Sequence, residues 1–471
     1  MVFCVSSKNW KDNETFVFNG RTISIIVSLA FFSFAFLGTE YLFDNMMAFV
    51  TDSNGVVIAQ GYILGISVIG FLLFPILNHF LKQGNMEILM FAFAVFGPIC
   101  IFVIQQHVSY GSISAAGGIV FVLLGILGSR VHYLAARVFG KSRNLAKMVG
   151  IAYALGILLQ FLNSNLANND LTESVILSLS CAMLVFLCIK LNKDLTNMNF
   201  GDEEQQNDKK ICPYKSPAVA GVTLLVIVAL MTCIFASLDN AVTLVHATGS
   251  IDIGQWPRLL LTVSGLAAGV LFDINNRCYM NMIMYSITLL STACVVVIEL
   301  GGPFLVGLIV FYLSAGFFVV YFTTVFMELS RYMKVPELWA GLGRATNNLF
   351  AVITSIPSVA LLVSLNDMLL IVTALVLFVL ISMAIFVYSG QVKPADEMEG
   401  IAKGAMREDD AVKFAEFSMA FSLTEREQEI LKILLSSDEN VQDIASLNEK
   451  TETKSRIGLL QFYYTWEKNE D

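Results

Sequence analysis

Twelve apolar runs, each about as long as a helix that crosses a bilayer, dominate this chain of 471 residues. They fall near 22–43, 57–78, 87–105, 113–136, 147–167, 173–191, 217–237, 256–273, 279–299, 303–326, 339–363 and 367–389. A helix rises about 1.5 Å per residue, so about 20 apolar residues cross the hydrocarbon layer. Backbone polar groups find no water there, and a helix satisfies them within its own run. Composition agrees, with 56% apolar and 14% charged residues, against about 25% charged in an ordinary soluble domain. The expected fold class is therefore all-α, a polytopic membrane protein with twelve transmembrane helices and the lipid bilayer as its first partner.

A polar stretch at 192–216, centred on Gly201-Asp-Glu-Glu-Gln-Gln-Asn-Asp-Lys-Lys210, reads as a solvated central loop. It separates a first six-helix half (22–191) from a second (217–389), and a short tail (1–21) precedes both. The two halves carry weak echoes of one another. Gly38-Thr-Glu-Tyr-Leu-Phe-Asp-Asn45 is partly repeated in Ala236-Ser-Leu-Asp-Asn240, an interval of 195 residues between the Asp-Asn pairs. Gln60 and Gln255 keep that interval, as do Gly70 and Gly265, and Gly117-Gly-Ile-Val-Phe121 returns as Gly307-Leu-Ile-Val-Phe311. Internal repetition in a hydrophobic chain is characteristic of transporter-type folds.

Basic residues set the expected orientation. One side's connections hold Lys82, Arg137, Lys141, Arg143, Lys193, Lys209, Lys210, Arg277, Arg331 and Lys334, while the other side's hold Arg258 at a helix edge. Both termini are thus expected in the cytoplasm. The polar residues before the first run make that run an uncleaved anchor. The eight cysteines (4, 100, 181, 188, 212, 233, 278 and 294) form no CxxC pair and read as small apolar helix residues.

Beyond residue 390 the chain changes character. A charged linker (390–422) leads to a small helical unit (423–471). Thr424 and Glu427 have capping-box spacing. Ile430, Leu431, Leu434 and Leu435 form an apolar stripe. A second helix is expected over 441–447, and a third from Thr451 to about Tyr464, burying Ile457, Leu460 and Tyr464 against Leu431 and Leu434.

Two resemblances follow from these residues. Six-plus-six helices and the segment Gly269-Val-Leu-Phe-Asp273-Ile-Asn-Asn-Arg277 resemble the major facilitator superfamily, whose cytoplasmic signature is Gly-x-Leu-x-Asp-Arg-x-Gly-Arg. The likeness implies a conformational latch, in which Gly269 permits close packing and Asp273 pairs with a basic residue or a helix N-terminus. Arg277 completes the motif. The corresponding first-half loop, Pro75-Ile-Leu-Asn-His-Phe-Leu-Lys82, lacks it. Leu423-Thr-Glu-Arg-Glu-Gln-Glu-Ile-Leu431 resembles the opening of a LuxR-type DNA-binding domain, and Val441-Gln-Asp-Ile-Ala445 resembles its second helix. That likeness implies a helix-turn-helix in which Thr453, Lys454 and Arg456 face DNA. Residues 423–471 carry eleven acids against six bases, which weakens phosphate contact. One tail is expected to bind weakly, so useful affinity needs two tails together, in a homodimer or at paired half-sites.

Ionisable groups inside a span are costly and invite a functional reading. Glu40 and Asp44 are i, i+4 on the first helix, and Asp239 is the repeat-related residue on the seventh. Arg130, His132 and Tyr133 lie on the fourth. In the facilitator fold helices 1, 4, 7 and 10 line the central cavity, so these residues, with Gln60 and Gln255, are the candidate ligand-cavity set. Asp44 and Asp239 read equally well as helix ends at the water interface, and the glutamines as bonds between helices. Arg130 is open to reading as a structural ion pair.

No Ser/His/Asp arrangement, phosphate loop or metal-ligand cluster occurs in the sequence. A catalytic site, a metal and a cofactor are not expected, and the enzyme class is set aside. Two functions remain. The first is a bacterial membrane-embedded one-component transcriptional regulator, whose body senses a small ligand and whose tail binds DNA. The alternative is a major-facilitator-type secondary transporter of a small solute with a vestigial or regulatory tail.

Overall fold

A computed structural model describes residues 20–140, 142–167, 169–196, 212–249, 256–363, 367–393, 413–436, 445–451, 453, 458, 459, 462 and 463. The chain divides into two compact units, Met1–Lys393 and Pro394–Asp471.

The first unit is a helical bundle. Its helices are α1 (Gly20–Met47), α2 (Ser53–Phe80), α3 (Gln83–Gln105), α4 (Tyr110–Phe139), α5 (Leu145–Leu166), α6 (Asp170–Thr196), α7 (Pro217–Ala247), α8 (Trp256–Phe272), α9 (Met280–Glu299), α10 (Phe304–Ser330), α11 (Pro336–Val363) and α12 (Asp367–Gln391). Among the described residues, ten of these are long and apolar enough to cross a membrane. The other two are α8, with 17 residues, and α11, whose apolar run is broken by Glu337, Arg344, Asn347 and Asn348. Local signals start several helices. The side chains of Asp52, Ser109 and Ser216 accept from the backbone N–H groups of Gly55, Ser112 and Val219, which would otherwise be orphaned. Pro217 occupies the first helical turn of α7, where its missing donor costs nothing.

Packing repeats with a period of six helices. In the first half α2 packs on α4, α1 on α5 and α6, and α3 on α4 and α6. In the second, α8 packs on α10, α7 on α11 and α12, and α9 on α10 and α12. The halves meet where α2 lies on α11 and α5 on α8. Glycine sets two of these crossings. A Cβ on Gly70 (α2) would overlap the Val122 carbonyl oxygen of α4, and one on Gly269 (α8) would lie 2.8 Å from Ala146 O and 3.2 Å from the Gly150 Cα of α5. Large apolar side chains cover the outside, with Phe386 80% exposed and Phe91 and Phe186 also outward. In water such a belt is unfavourable; against acyl chains it is what lipid requires.

Two expectations change. The central loop is not solvated throughout. Residues 197–211 lie outside the described residues, but Cys212 and Tyr214 are buried. Tyr214 packs against Tyr332 and Tyr388, and Lys215 N donates to Gln391 O at 2.8 Å. The end of the loop is thus pinned to the end of α12, because its aromatic ring gains more from burial than water returns. Among the described cysteines, six are free thiols, whereas Cys278 is disulfide-bonded.

The second unit contains α13 (413–420), α14 (Glu425–Ser436) and α15 (Ala445–Lys450). Thr424 Oγ1 receives the Glu427 N–H, and Glu427 Oε2 receives the Thr424 N–H at 2.7 Å, which completes the capping box. Phe417, Leu423, Leu431, Leu459 and Tyr463 form its core. Among the described residues near the end of the chain Leu459 and Tyr463 are buried, and Ile457, Leu460 and Tyr464 lie outside the described residues. Residues 437–444, holding most of the expected second helix, also lie outside them.

Candidate functional site

The helices run several residues past their apolar runs, and this decides the site. The run expected at 217–237 becomes a helix ending at Ala247, so Asp239 and Asn240 sit within α7 rather than at its end. Asp44 likewise lies inside α1, 3% exposed. The i, i+4 spacing of Glu40 and Asp44 puts both on one face, and that face turns to the boundary between the halves.

A cavity with about 930 Å³ of atom-free space occupies this boundary. The first half contributes Glu40, Asp44, Gln60 and Tyr153; the second contributes Asp239, Arg258, Arg344 and Asn347. Leu64, Phe235, Phe311 and Phe318 supply apolar wall. Gln60 Nε2 donates to Glu40 Oε1 at 2.9 Å, fixing that carboxylate. Asn348 Nδ2 donates to Ser67 Oγ at 2.8 Å, tying α11 to α2. The Arg344 guanidinium lies 4.8 Å from the Phe36 ring centroid and 6.0 Å from that of Phe322, a cation–π seat that holds it without neutralising it. Among the described residues no ion pair joins either arginine to Glu40, Asp44 or Asp239.

A second, much smaller cavity lies against Phe32, Ser33, His132 and Val149. Leu37, Tyr153, Val319 and Arg344 line both cavities, so Arg344 stands between them. His132 Nδ1 lies 2.6 Å from Gly128 O. A carbonyl can only accept, so this nitrogen carries the proton.

The candidate cavity residues thus separate. Glu40, Asp44, Gln60 and Asp239 share the larger cavity, and His132 lines the smaller one. Arg130 and Tyr133 line neither, although their i, i+3 spacing does give them a common face. That face is turned about 200° from His132 at 100° per residue for Arg130. Arg130 is buried at 3% exposure, its Nη1 without a hydrogen-bond partner, and Tyr133 packs on Phe74. Gln255 lies outside the described residues. Arg344 was missed: it is a lone charge in an apolar run, the same signal that singled out Glu40 and Asp239. Arg258 was placed at a helix edge, yet it lines the cavity.

At one end of the bundle Asn45 Oδ1 lies 3.0 Å from His246 Nε2, and Tyr41 stacks on the His246 ring. At the other end lies the Gly269–Arg277 segment. Asp273 Oδ1 and Oδ2 accept from the Ala146 and Lys147 N–H groups at 3.1 and 2.7 Å, the first turn of α5. Burial raises the Asp273 pKa from its ordinary value, and the two backbone hydrogen bonds and Arg277 oppose that rise. Arg277 Nη1 donates to Ser142 O at 3.1 Å, and its Nε and Nη2 donate to the two Glu328 oxygens, each at 3.1 Å. Arg331 Nη1 adds a bond to Gly140 O at 2.9 Å. Asn275, Asn276 and Arg277 all have left-handed φ, 49, 53 and 64°, a tight reversal that aims both charged side chains at the α4–α5 connection. Glu328 carried no signal in the sequence, because it ends a long apolar run.

In the second unit Thr453 Oγ1 donates to Asn448 Oδ1 at 2.9 Å, so its hydroxyl is engaged within the unit. Lys454 and Arg456 lie outside the described residues. No group of three or more His, Cys, Asp or Glu side chains that could hold a metal ion occurs among the described residues.

Solved structures share the fold, two of them with TM-scores of 0.51. The crystal structure of the human organic anion transporter MFSD10 (TETRAN) matches with a TM-score of 0.51 at 14% identity, over 77% of this chain and 99% of that one. The crystal structure of an auto-inhibited POT family peptide transporter matches with a TM-score of 0.51 at 13% identity, over 80% and 98%. At these identities the likeness is one of fold: this chain is an all-helical, multi-pass membrane protein that shares the fold of these two structures. No protein-family model matches it, and no curated protein sequence does.

Proposed function

We propose that the chain is a secondary transporter of the major-facilitator type that carries a small solute across a membrane. The observation that carries this reading is the cavity between the two halves, with ionisable side chains from both of them deep in an apolar bundle. Such groups are expensive in a membrane interior and are retained where a solute or ion passes. The solute binds in the cavity, and the halves rock about it along α2–α11 and α5–α8, exposing it to each side in turn. The Asp273–Arg277–Glu328 cluster closes one end in the present conformation. In this reading twelve helices cross a bacterial cell membrane, including the short α8 and the polar α11, and both termini are cytoplasmic. The test is reconstitution of the full chain into liposomes and uptake of a radiolabelled solute panel, with Asp239→Asn as the comparison. If no solute enters faster than into protein-free liposomes, the reading fails.

The regulator reading stands second. The capped α14 supports it, since it forms where the LuxR-type opening falls. The facilitator-like fold favours transport over it. Promoter occupancy in cells for wild type, Lys454→Ala/Arg456→Ala and a truncation after Phe421 tests it, and identical profiles for all three end it.

A further inference from the structure

Of the five charged side chains lining the larger cavity, Asp44 and Arg258 are buried and Glu40, Asp239 and Arg344 half-buried, and among the described residues none of the five is in an ion pair, the two guanidinium groups resting on aromatic rings instead. Arg258 is 8% exposed and its Nε has no hydrogen-bond partner; the Nε of Arg344 also has none. Among the described residues no hydrogen bond from either guanidinium to a protein group exists, although each offers five donors. On the opposing side Asp44 is 3% exposed with Oδ1 unpartnered, and the Asp239 carboxylate makes no hydrogen bond among the described residues. Glu40 alone is engaged, through Gln60. A buried charge without a partner is costly, and complementary charge brought by a ligand relieves that cost.

The arrangement selects among ligand charges. Three carboxylates and two guanidinium groups line one space. An anion would neutralise the arginines and leave three carboxylates bare around it. A cation would leave both guanidinium groups bare. A ligand carrying both signs satisfies both sets at once. We propose that this cavity takes a small zwitterion, an amino acid or short peptide, with its carboxylate held by Arg258 and Arg344 and its ammonium by Glu40, Asp44 and Asp239. Arg suits the first task because its planar fork meets a carboxylate with two parallel bonds. Phe235, Phe311 and Phe318 give the side chain of the ligand an apolar wall. The assignment rests on the transporter reading and names the substrate class of that same site.

The test uses the full-length protein in detergent and three matched probes at equal concentration: a mixture of amino acids and dipeptides, the same mixture as methyl esters (cations), and the same mixture N-acetylated (anions). Thermal stabilisation reads binding, and counterflow in liposomes reads transport. The expected result is a rise in melting temperature with the zwitterions, and at least a tenfold weaker response to each blocked mixture. Arg344→Gln and Asp239→Asn are each expected to raise the half-maximal concentration at least tenfold. Arg344→Lys, which keeps the charge and loses the fork, is expected to lie between wild type and Arg344→Gln. Variants are compared at equal ligand-free melting temperature, which separates lost binding from lost folding. Equal or stronger responses to either blocked mixture, or no response to zwitterions, overturn the substrate class. Zwitterion binding without counterflow leaves the class standing and removes the transporter reading. Counterflow of esters or acetylated forms without that of zwitterions does the reverse.

Discussion

Arg277 and Glu328 face each other in a two-pronged ion pair, with Nε and Nη2 each 3.1 Å from a different carboxylate oxygen. Arg277 also holds the Ser142 carbonyl, so one side chain joins the end of α10 to the α4–α5 connection across the boundary between the halves. Removing Glu328 leaves the guanidinium, 6% exposed, without its main counter-charge. Glu328→Ala is expected to cost about 2 kcal/mol, read as a lower melting temperature of the purified protein. A thiol probe should react faster with Ser142→Cys in the Glu328→Ala background. Equal rates in both backgrounds would show that the pair does not hold this end shut.

Asp273 gives the same end a pH dependence. Its pKa is raised by burial, so the folded chain binds this proton more readily than the unfolded one. Its contribution to stability is then fully present below the ordinary aspartate value of about 4 and is lost as pH rises through the raised folded value. Asp273→Asn should flatten the acid side of a stability–pH curve and change transport more than membrane abundance. A variant that vanishes from the membrane would make Asp273 a folding residue instead.

The α2–α4 crossing depends on glycine. Gly70→Ala forces a Cβ onto the Val122 carbonyl, and overpacking of this kind costs about 1–3 kcal/mol, so abundance in the membrane should fall. Gly97→Ala is the control, because no atom lies within 4 Å of its added Cβ. Equal abundance of both variants would mean that the helices part freely there.

The orientation is tested by fusion. Reporters active in the cytoplasm should work after Lys82, Lys210 and Lys403 and fail near Gly55 and Asp252, as the basic residues require. Two or more reversed signals would refute the twelve-crossing topology.

The core of the second unit is small enough to be broken at one position. Leu431 is fully buried among Phe417, Leu423, Leu459 and Tyr463, and Leu431→Ala should cost about 2–5 kcal/mol. Limited proteolysis of the full chain should then cut within 413–463 many times faster than in wild type. Met419→Ala, at a residue 73% exposed, should change the rate little.

The sequence by itself determined the helical bundle, because lipid solvent leaves a long apolar run no alternative to a helix. It also determined the capping box at Thr424 and Glu427 and the shared face of Glu40 and Asp44, since both depend on spacing along one helix. The motif around Asp273 implied a basic residue or a helix N-terminus as its partner, but not which one. Tertiary structure alone decided that the partner is the first turn of α5, some 126 residues away. It also decided that Arg344, rather than Arg130, stands between the cavities. Both are lone charges in apolar runs, and nothing in a single helix says which of its faces will meet the other half. That choice is made by close packing at Gly70, Gly150 and Gly269, where the missing side chains let backbones approach and fix the rotation of each helix. The length of a run is a local property of the chain; the direction its charges face is a property of the whole bundle.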